Sequence, residues 1–193
     1  MTAGLEIFAL PGFPLVQAGD DLAGLIIAGL ERAGRGLHSG DIVVVAQKVV
    51  SKAEDRTVAL SAVHPSERAI SLAREVGKDP RAVEVILSES VRVVRSRPNL
   101  LITQHRLGFV MANAGVDHSN VAAPGDAERL LLLPADPDHS AELLRTRLEA
   151  HFGTAPGIVI NDSFGRPWRR GVCGVAIGAA GIPSLVDLRG QPD

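Results

Sequence analysis

The chain has 193 residues, 46% of them hydrophobic, enough to bury one respectable core or two small lobes that share an interface. A net charge of −2 with only 3% aromatic residues argues against the basic, aromatic-studded faces that bind nucleic acid. No apolar segment is long enough to span a bilayer, the N-terminus lacks a basic lead into a secretory core, and the one cysteine, Cys173, has no intrachain partner; a folded cytoplasmic protein with a buried, inert thiol is expected.

Leu5 to Leu10 alternates as a first strand, and Pro11-Gly12 breaks it into a loop holding Phe13, Pro14, Leu15 and Val16. Asp20 or Asp21 then caps a helix whose apolar stripe is Leu22, Leu25, Ile26, Gly29 and Leu30. Ser39-Gly40-Asp41 turns the chain into Ile42 to Val45, a short buried strand. Ala46 to Glu54 leaves that strand with polar side chains at its end, where ligand groups project from sheets. Lysine occurs only at positions 48, 52 and 78, so Lys52 stands out, either as a point charge for phosphate or as a solvated loop lysine.

Ser66 caps a helix with Ala69, Ile70, Ala73 and Val76 inward, and Pro80 opens another that closes at Glu89, a surface helix terminus or a site acid. Val91 to Arg95, Leu100 to Gln104 and Phe109 to Ala112 follow as strands with short turns, a meander that favours antiparallel pairing. No Gly-rich dinucleotide fingerprint or Walker loop occurs, so a nucleotide would bind by another scheme.

Asn113 to Asn120 closes the meander with small residues and one carboxylate, Asp117, beside Asn120. His118 is a tempting base, but a lone loop histidine is more often a solvated or capping residue, and the remaining histidines share no metal-ligand spacing. Leu130 to Leu133 is a short apolar run, and Asp136-Pro137-Asp138 reads as the entry to a helix with Leu143, Leu144, Leu148 and Phe152 inward. Gly157 to Ile160 then forms a buried strand that stops at Asn161, Asp162 and Ser163, with Arg166, Arg169 and Arg170 close behind. Two strand ends, each with one Asp and a neighbouring oxygen donor, are what a divalent cation sharing its shell with phosphates requires. The arginine forks suit phosphate or carboxylate oxygens. The same residues could also form a polar hairpin with a capping Asp and solvated arginines, and the stretch alone leaves both readings open.

Taken in order, GFPLV with GDDLA, VVSKAE, NAGVDHSN, LLPADPDHSAELLR and VINDSFGRPWRRGVCGVAIGAAG resemble the coenzyme F-420:L-glutamate ligase (γ-glutamyl ligase) family over nearly the whole chain. The resemblance implies a mixed α+β fold, with largely antiparallel sheets and packed helices, that pairs into a homodimer. It also implies a GTP-dependent ligase that uses Mg2+ or Mn2+, with K+ as a further candidate ion. Its small-molecule substrates would be L-glutamate and F-420-0, the deazaflavin coenzyme precursor, with no nucleic acid and no membrane involved. By position, Phe13, Pro14, Leu15, Val16, Gln47, Lys48 and Asn120 become nucleotide contacts. Lys52 lies near the phosphates; Asp117, Asp162 and Ser163 become metal ligands; and Arg166, Arg169 and Arg170 join Lys52 in neutralising charge. Family members normally run on past a segment like LRGQPD and draw another acidic or amide ligand from that continuation. Residues 1–193 are therefore expected to form one γ-glutamyl-ligase-like domain lacking it. A metal-dependent nucleotide hydrolase and a non-catalytic, nucleotide-binding dimeric homologue are the rival readings.

Overall fold

In the computed structural model, which describes residues 4–118, 128–165 and 170–190, the β-branched run beginning at Gly157 becomes the middle strand of the principal sheet. The elements run α1 (Leu22–Arg32), β1 (Ile42–Ala46), α2 (Gln47–Ala53), β2 (Thr57–Ala59), α3 (Glu67–Val76), α4 (Pro80–Ser88), β3 (Ser90–Arg97), β4 (Leu100–His105), β5 (Val110–Ala112), β6 (Arg129–Leu131), α5 (Pro137–Phe152), β7 (Gly157–Gly165) and β8 (Val172–Ala180). β7 pairs with β1 in parallel, from Ile42 opposite Gly157 to Ala46 opposite Asn161, and with β8 antiparallel out to Gly165 opposite Val172. β3, β4 and β5 form the expected antiparallel meander, and β2 pairs antiparallel with β6. The architecture is thus mixed α+β with largely antiparallel sheets, as the sequence leads one to expect.

Local signals set most boundaries. Asp21 accepts the Gly24 N–H at 3.2 Å to start α1, Ser66 accepts from Ala69 at 3.2 Å to start α3, and Asp136 accepts from His139 at 3.0 Å to start α5. Each such cap contributes about 1 kcal/mol. The principal core lies between the sheet and α1 and α5, where Leu30, Leu148, Ile158 and Ile160 are buried together. Burying one side chain of this kind stabilises the fold by roughly 1.5–3 kcal/mol. A second cluster joins α3 and α4 to β4 through Ala69, Val83, Ile86 and Leu101, and a third lies under β6 around Leu60, Leu130 and Leu132.

Three expectations need correction. Leu5 to Leu10 is irregular rather than a strand: Leu5 and Ile7 are 88% and 85% exposed, and alternation without a neighbouring strand has nothing to pair with. Arg35 secures this segment instead, donating to Glu6 at 3.0 Å and lying over the Phe8 ring at 4.5 Å. The supposed loop after β1 is helix α2, because Gln47, Val50 and Ser51 turn inward at helical spacing and Gln47 Nε2 donates to Ser51 Oγ at 2.6 Å across one turn. Finally, β7 does not stop at Ile160. It continues through Asp162 and Ser163 because β8 supports it there, while its other neighbour, β1, gives way to α2.

Candidate active site

That last mismatch builds the site. Where β1 ends at Ala46, β7 runs on alone on that side, so Asp162 lies just beyond the parallel pairing, and the chain opposite is the first turn of α2, with Lys48 in it. Alternation along β7 puts Asp162 on the face that also holds buried Ile160 and Phe164, which leaves its carboxyl half-buried. Asp117 arrives from a different part of the chain, after the Asn113-Ala114-Gly115 turn. All three of those residues have positive φ, at 53°, 51° and 69°. A Cβ on Gly115 would come within 2.9 Å of the fully buried Leu133 side chain, so the turn has no room for a larger residue there. Strain of this kind, about 1–3 kcal/mol for each non-glycine residue, persists only where surroundings enforce it. Here the Asp117 N–H donates to the Leu131 carbonyl at 3.0 Å and the Leu131 N–H returns to the Asp117 carbonyl at 2.9 Å.

Asp117, Asp162 and Lys48 form one electrostatic unit. The Lys48 ammonium pairs with the Asp117 carboxylate. Burial pushes the Asp162 carboxyl above the ordinary aspartate range and the Asp117 charge adds to the rise, while the N–H of Ser163 and the charge of Lys48 oppose it. Two carboxylates from distant segments therefore sense each other, and one of them is disfavoured as an anion. A hard cation fits such a donor set, because it relieves both the repulsion and the desolvation, and one or two carboxylates are what Mg2+ ordinarily takes from protein. Among the described residues no group of three His, Cys, Asp or Glu side chains could hold a metal, so this pair would be the acidic contribution.

The remaining sequence-derived residues fall into three groups. Lys52 lies one turn beyond Lys48 on the same face of α2 and is half-buried. Phe13 is half-buried against the principal core, Pro14 and Leu15 are exposed, and Val16 is buried; the N–H of Gly19 donates to the Ala53 carbonyl at 2.9 Å and hitches this loop to the end of α2. Gln47 is buried, its amide donating to Ser51 and, at 3.4 Å, to the Leu132 carbonyl. Ser163 is exposed and, by strand alternation, faces away from Asp162, so the structure does not bring its hydroxyl to the carboxyl pair. Arg170 is exposed. Asn120, Arg166 and Arg169 lie outside the described residues. His118 is exposed, and Cys173 is half-buried rather than buried, its Sγ 3.7 Å from the Phe164 carbonyl.

Two clefts lie elsewhere among the described residues. A cleft of about 210 Å³ lies between α1, α2 and α5, and one of about 120 Å³ lies between α4 and the Asn113 turn; neither is lined by Asp117, Lys48 or Asp162. Sequence reasoning missed the pairing of Lys48 with Asp117, for which only the resemblance offered a hint, since it grouped Lys48 with the site. Glu89, read as a surface helix terminus or a site acid, is a second acidic centre whose partners Arg56, His105 and Arg106 the sequence did not indicate.

Comparison with known proteins reaches the same region of sequence space as the motifs. The family model described as F420-0:Gamma-glutamyl ligase matches residues 12–193. The chain is 48% identical to the Coenzyme F420:L-glutamate ligase of Methanopyrus kandleri over 193 residues, covering 98% of this chain and 73% of that protein. It is 43% identical to the protein of the same name from Methanothermobacter thermautotrophicus over 190 residues, 98% of this chain and 74% of the other. Against the Archaeoglobus fulgidus protein, again of that name, identity is 42% over 189 residues, with 98% and 72% covered.

Proposed function

The chain belongs to the F420-0:gamma-glutamyl ligase family and is a ligase, and from that premise we propose that it joins L-glutamate to F-420-0 through a γ-glutamyl amide, driven by GTP and dependent on Mg2+ or Mn2+. The observation that carries the metal reading is that Asp162, just past the end of the β1–β7 pairing, and Asp117, paired with Lys48 in the first turn of α2, come to the same strand end.

A free carboxylate is a poor electrophile, because its charge repels an amine and oxide cannot leave. In the proposed route an oxygen of the F-420-0 carboxylate attacks the γ-phosphorus of GTP and GDP departs. The glutamate amine then attacks the resulting acyl phosphate carbonyl, phosphate leaves, and the ammonium proton is released. A divalent cation bound by Asp117 and Asp162 would neutralise phosphate charge. This chain's own work is alignment and charge balance. Lys48 and Lys52 present two ammonium groups from successive turns of α2, and Arg166, Arg169 and Arg170 add guanidinium groups after β7. Phe13 to Val16, Gln47 and Asn120 complete the nucleotide side of the reading, with Gln47 acting through the shape of α2 because its amide is committed internally. The same reading takes a homodimer as the working form, which sedimentation measures.

Incubation with F-420-0, GTP and Mn2+ tests the proposal. Phosphate release that requires L-glutamate and yields a product heavier by one glutamyl residue supports it. Release without glutamate identifies a hydrolase, and GTP binding without release identifies a non-catalytic homologue.

A further inference from the structure

Outside the carboxylate pair, Glu89, at the junction of α4 and β3, draws three side chains from other elements. Its Oε2 accepts from Arg56 Nη2 at 3.2 Å and from Arg106 Nε at 3.2 Å. The fully buried His105 ring joins them: its Nδ1 accepts the Leu107 N–H at 3.0 Å, which leaves the hydrogen on Nε2, 3.4 Å from the same carboxylate oxygen. That separation is too long for a well-formed hydrogen bond, so the ring acts on Glu89 chiefly through its dipole. Glu89 is only 12% exposed, so water screens its carboxylate little, while Arg56 and Arg106 are 24% and 36% exposed.

Both arginines have a second grip. Arg56 Nε donates to the Leu133 carbonyl at 2.9 Å and Arg106 Nη1 to the Ala135 carbonyl at 2.9 Å. The Arg56 carbonyl also accepts the Leu132 N–H at 2.9 Å. The segment from Leu131, the last residue of β6, to Ala135, just before α5, is thus held from one side by two guanidinium groups that would repel each other without the carboxylate between them. On its other side that segment carries the candidate site. Leu131 exchanges two backbone hydrogen bonds with Asp117, and the Leu132 carbonyl accepts from Gln47, the residue before Lys48.

We propose that Glu89 is a positioning residue for the Asp117–Lys48 centre, acting through Arg56 and Arg106 on the Leu131–Ala135 segment. The carboxylate fixes the two arginines, the arginines fix the segment, and the segment sets the strained turn before Asp117 against the start of α2. No atom of Glu89 need approach a substrate. The role is geometric, of the kind by which outer groups hold ligating side chains in place.

The test is Glu89→Gln in the full chain, which keeps the side chain's shape and removes its charge. Amide hydrogen exchange without ligands is expected to show protection at Asp117 and Leu131 falling about tenfold further than protection in β7. Calorimetry with Mn2+ alone is expected to show affinity falling by about tenfold. This second readout rests on the reading of Asp117 and Asp162 as metal ligands. A loss of protection shared equally by β7, or no loss at either place, overturns the proposal, as does unchanged Mn2+ affinity in a wild-type chain that binds the ion. If the wild-type chain binds no Mn2+, the metal reading fails, and the exchange contrast alone decides the role of Glu89. Should Glu89→Gln fail to fold, Arg106→Gln releases one grip and leaves the Arg56 pair. The same local loss is then expected, and its absence counts against the proposal.

Discussion

Two acidic centres in this molecule are shifted in opposite directions. Glu89 is surrounded by the His105 ring and the Arg56 and Arg106 guanidinium groups, which hold its carboxyl down to about 2 against the cost of burial. Asp162 faces burial and a second carboxylate, with one lysine and one backbone N–H in compensation, and its carboxyl is pushed up. A charge with surplus partners holds the fold together. One with too few gains from a counterion, and under the proposed function that is where the cation would bind.

The largest expected effect follows from the under-compensated centre. Asp162→Asn should lower glutamate-dependent turnover by about 10²–10³-fold, the usual loss on removing one preorganised electrostatic contact. Its thermal unfolding should remain cooperative. Near-wild-type turnover in that variant would remove the metal assignment and with it the contrast between the centres.

Next in size is the stability carried by the well-compensated one. Because the folded value for Glu89 lies below its ordinary 4.5, its contribution is fully present above pH 4.5 and is lost as pH falls towards 2. Glu89→Gln should therefore cost about 2–3 kcal/mol at pH 7, measured by urea unfolding, with the penalty shrinking as pH drops through that window. Asp162→Asn should do the reverse. A carboxyl raised in the folded state weakens folding once it is ionised, so the amide should stabilise the chain at neutral pH. That gain should fade as acid protonates the wild-type Asp162. A penalty of the same sign in both variants would mean that the two centres do not differ as described.

The sequence carried the fold better than it carried this contrast. Ser66, Asp21 and Asp136 announced helix starts through side chains that bond within one turn, and those signals are local. The meander was legible for the same reason, since short turns join its strands. Helix α2 was not, because Ala46 to Glu54 reads as the polar exit of a strand and the reason it is helical is burial of Gln47, Val50 and Ser51 against the neighbouring elements. Asp117 and Asp162 stood out as acids beside oxygen donors, yet their convergence depends on β7 outrunning β1 and on the Leu131 pairing, both of which are long-range. Glu89 gave the weakest signal, because Arg56, His105 and Arg106 come to it from other elements.

The smallest expected effect tests what Lys48 does when no ligand is bound. Its ammonium pairs with Asp117 and moderates the charge on Asp162, so an incoming cation must compete with it. Both partners are partly exposed, at 40% and 34%, which limits the pair to about 0.2–1 kcal/mol. Lys48→Met, which keeps the aliphatic stem and deletes the charge, should therefore raise Mn2+ affinity by up to about fivefold in calorimetry with the ion alone. Under the proposed function it should also weaken GTP binding, because the ammonium would then be missing from the phosphate side. A variant that loses affinity for Mn2+ and GTP together would show that Lys48 shapes the turn rather than competes for it. The comparison would then narrow to Asp162 alone as the group left short of a counterion.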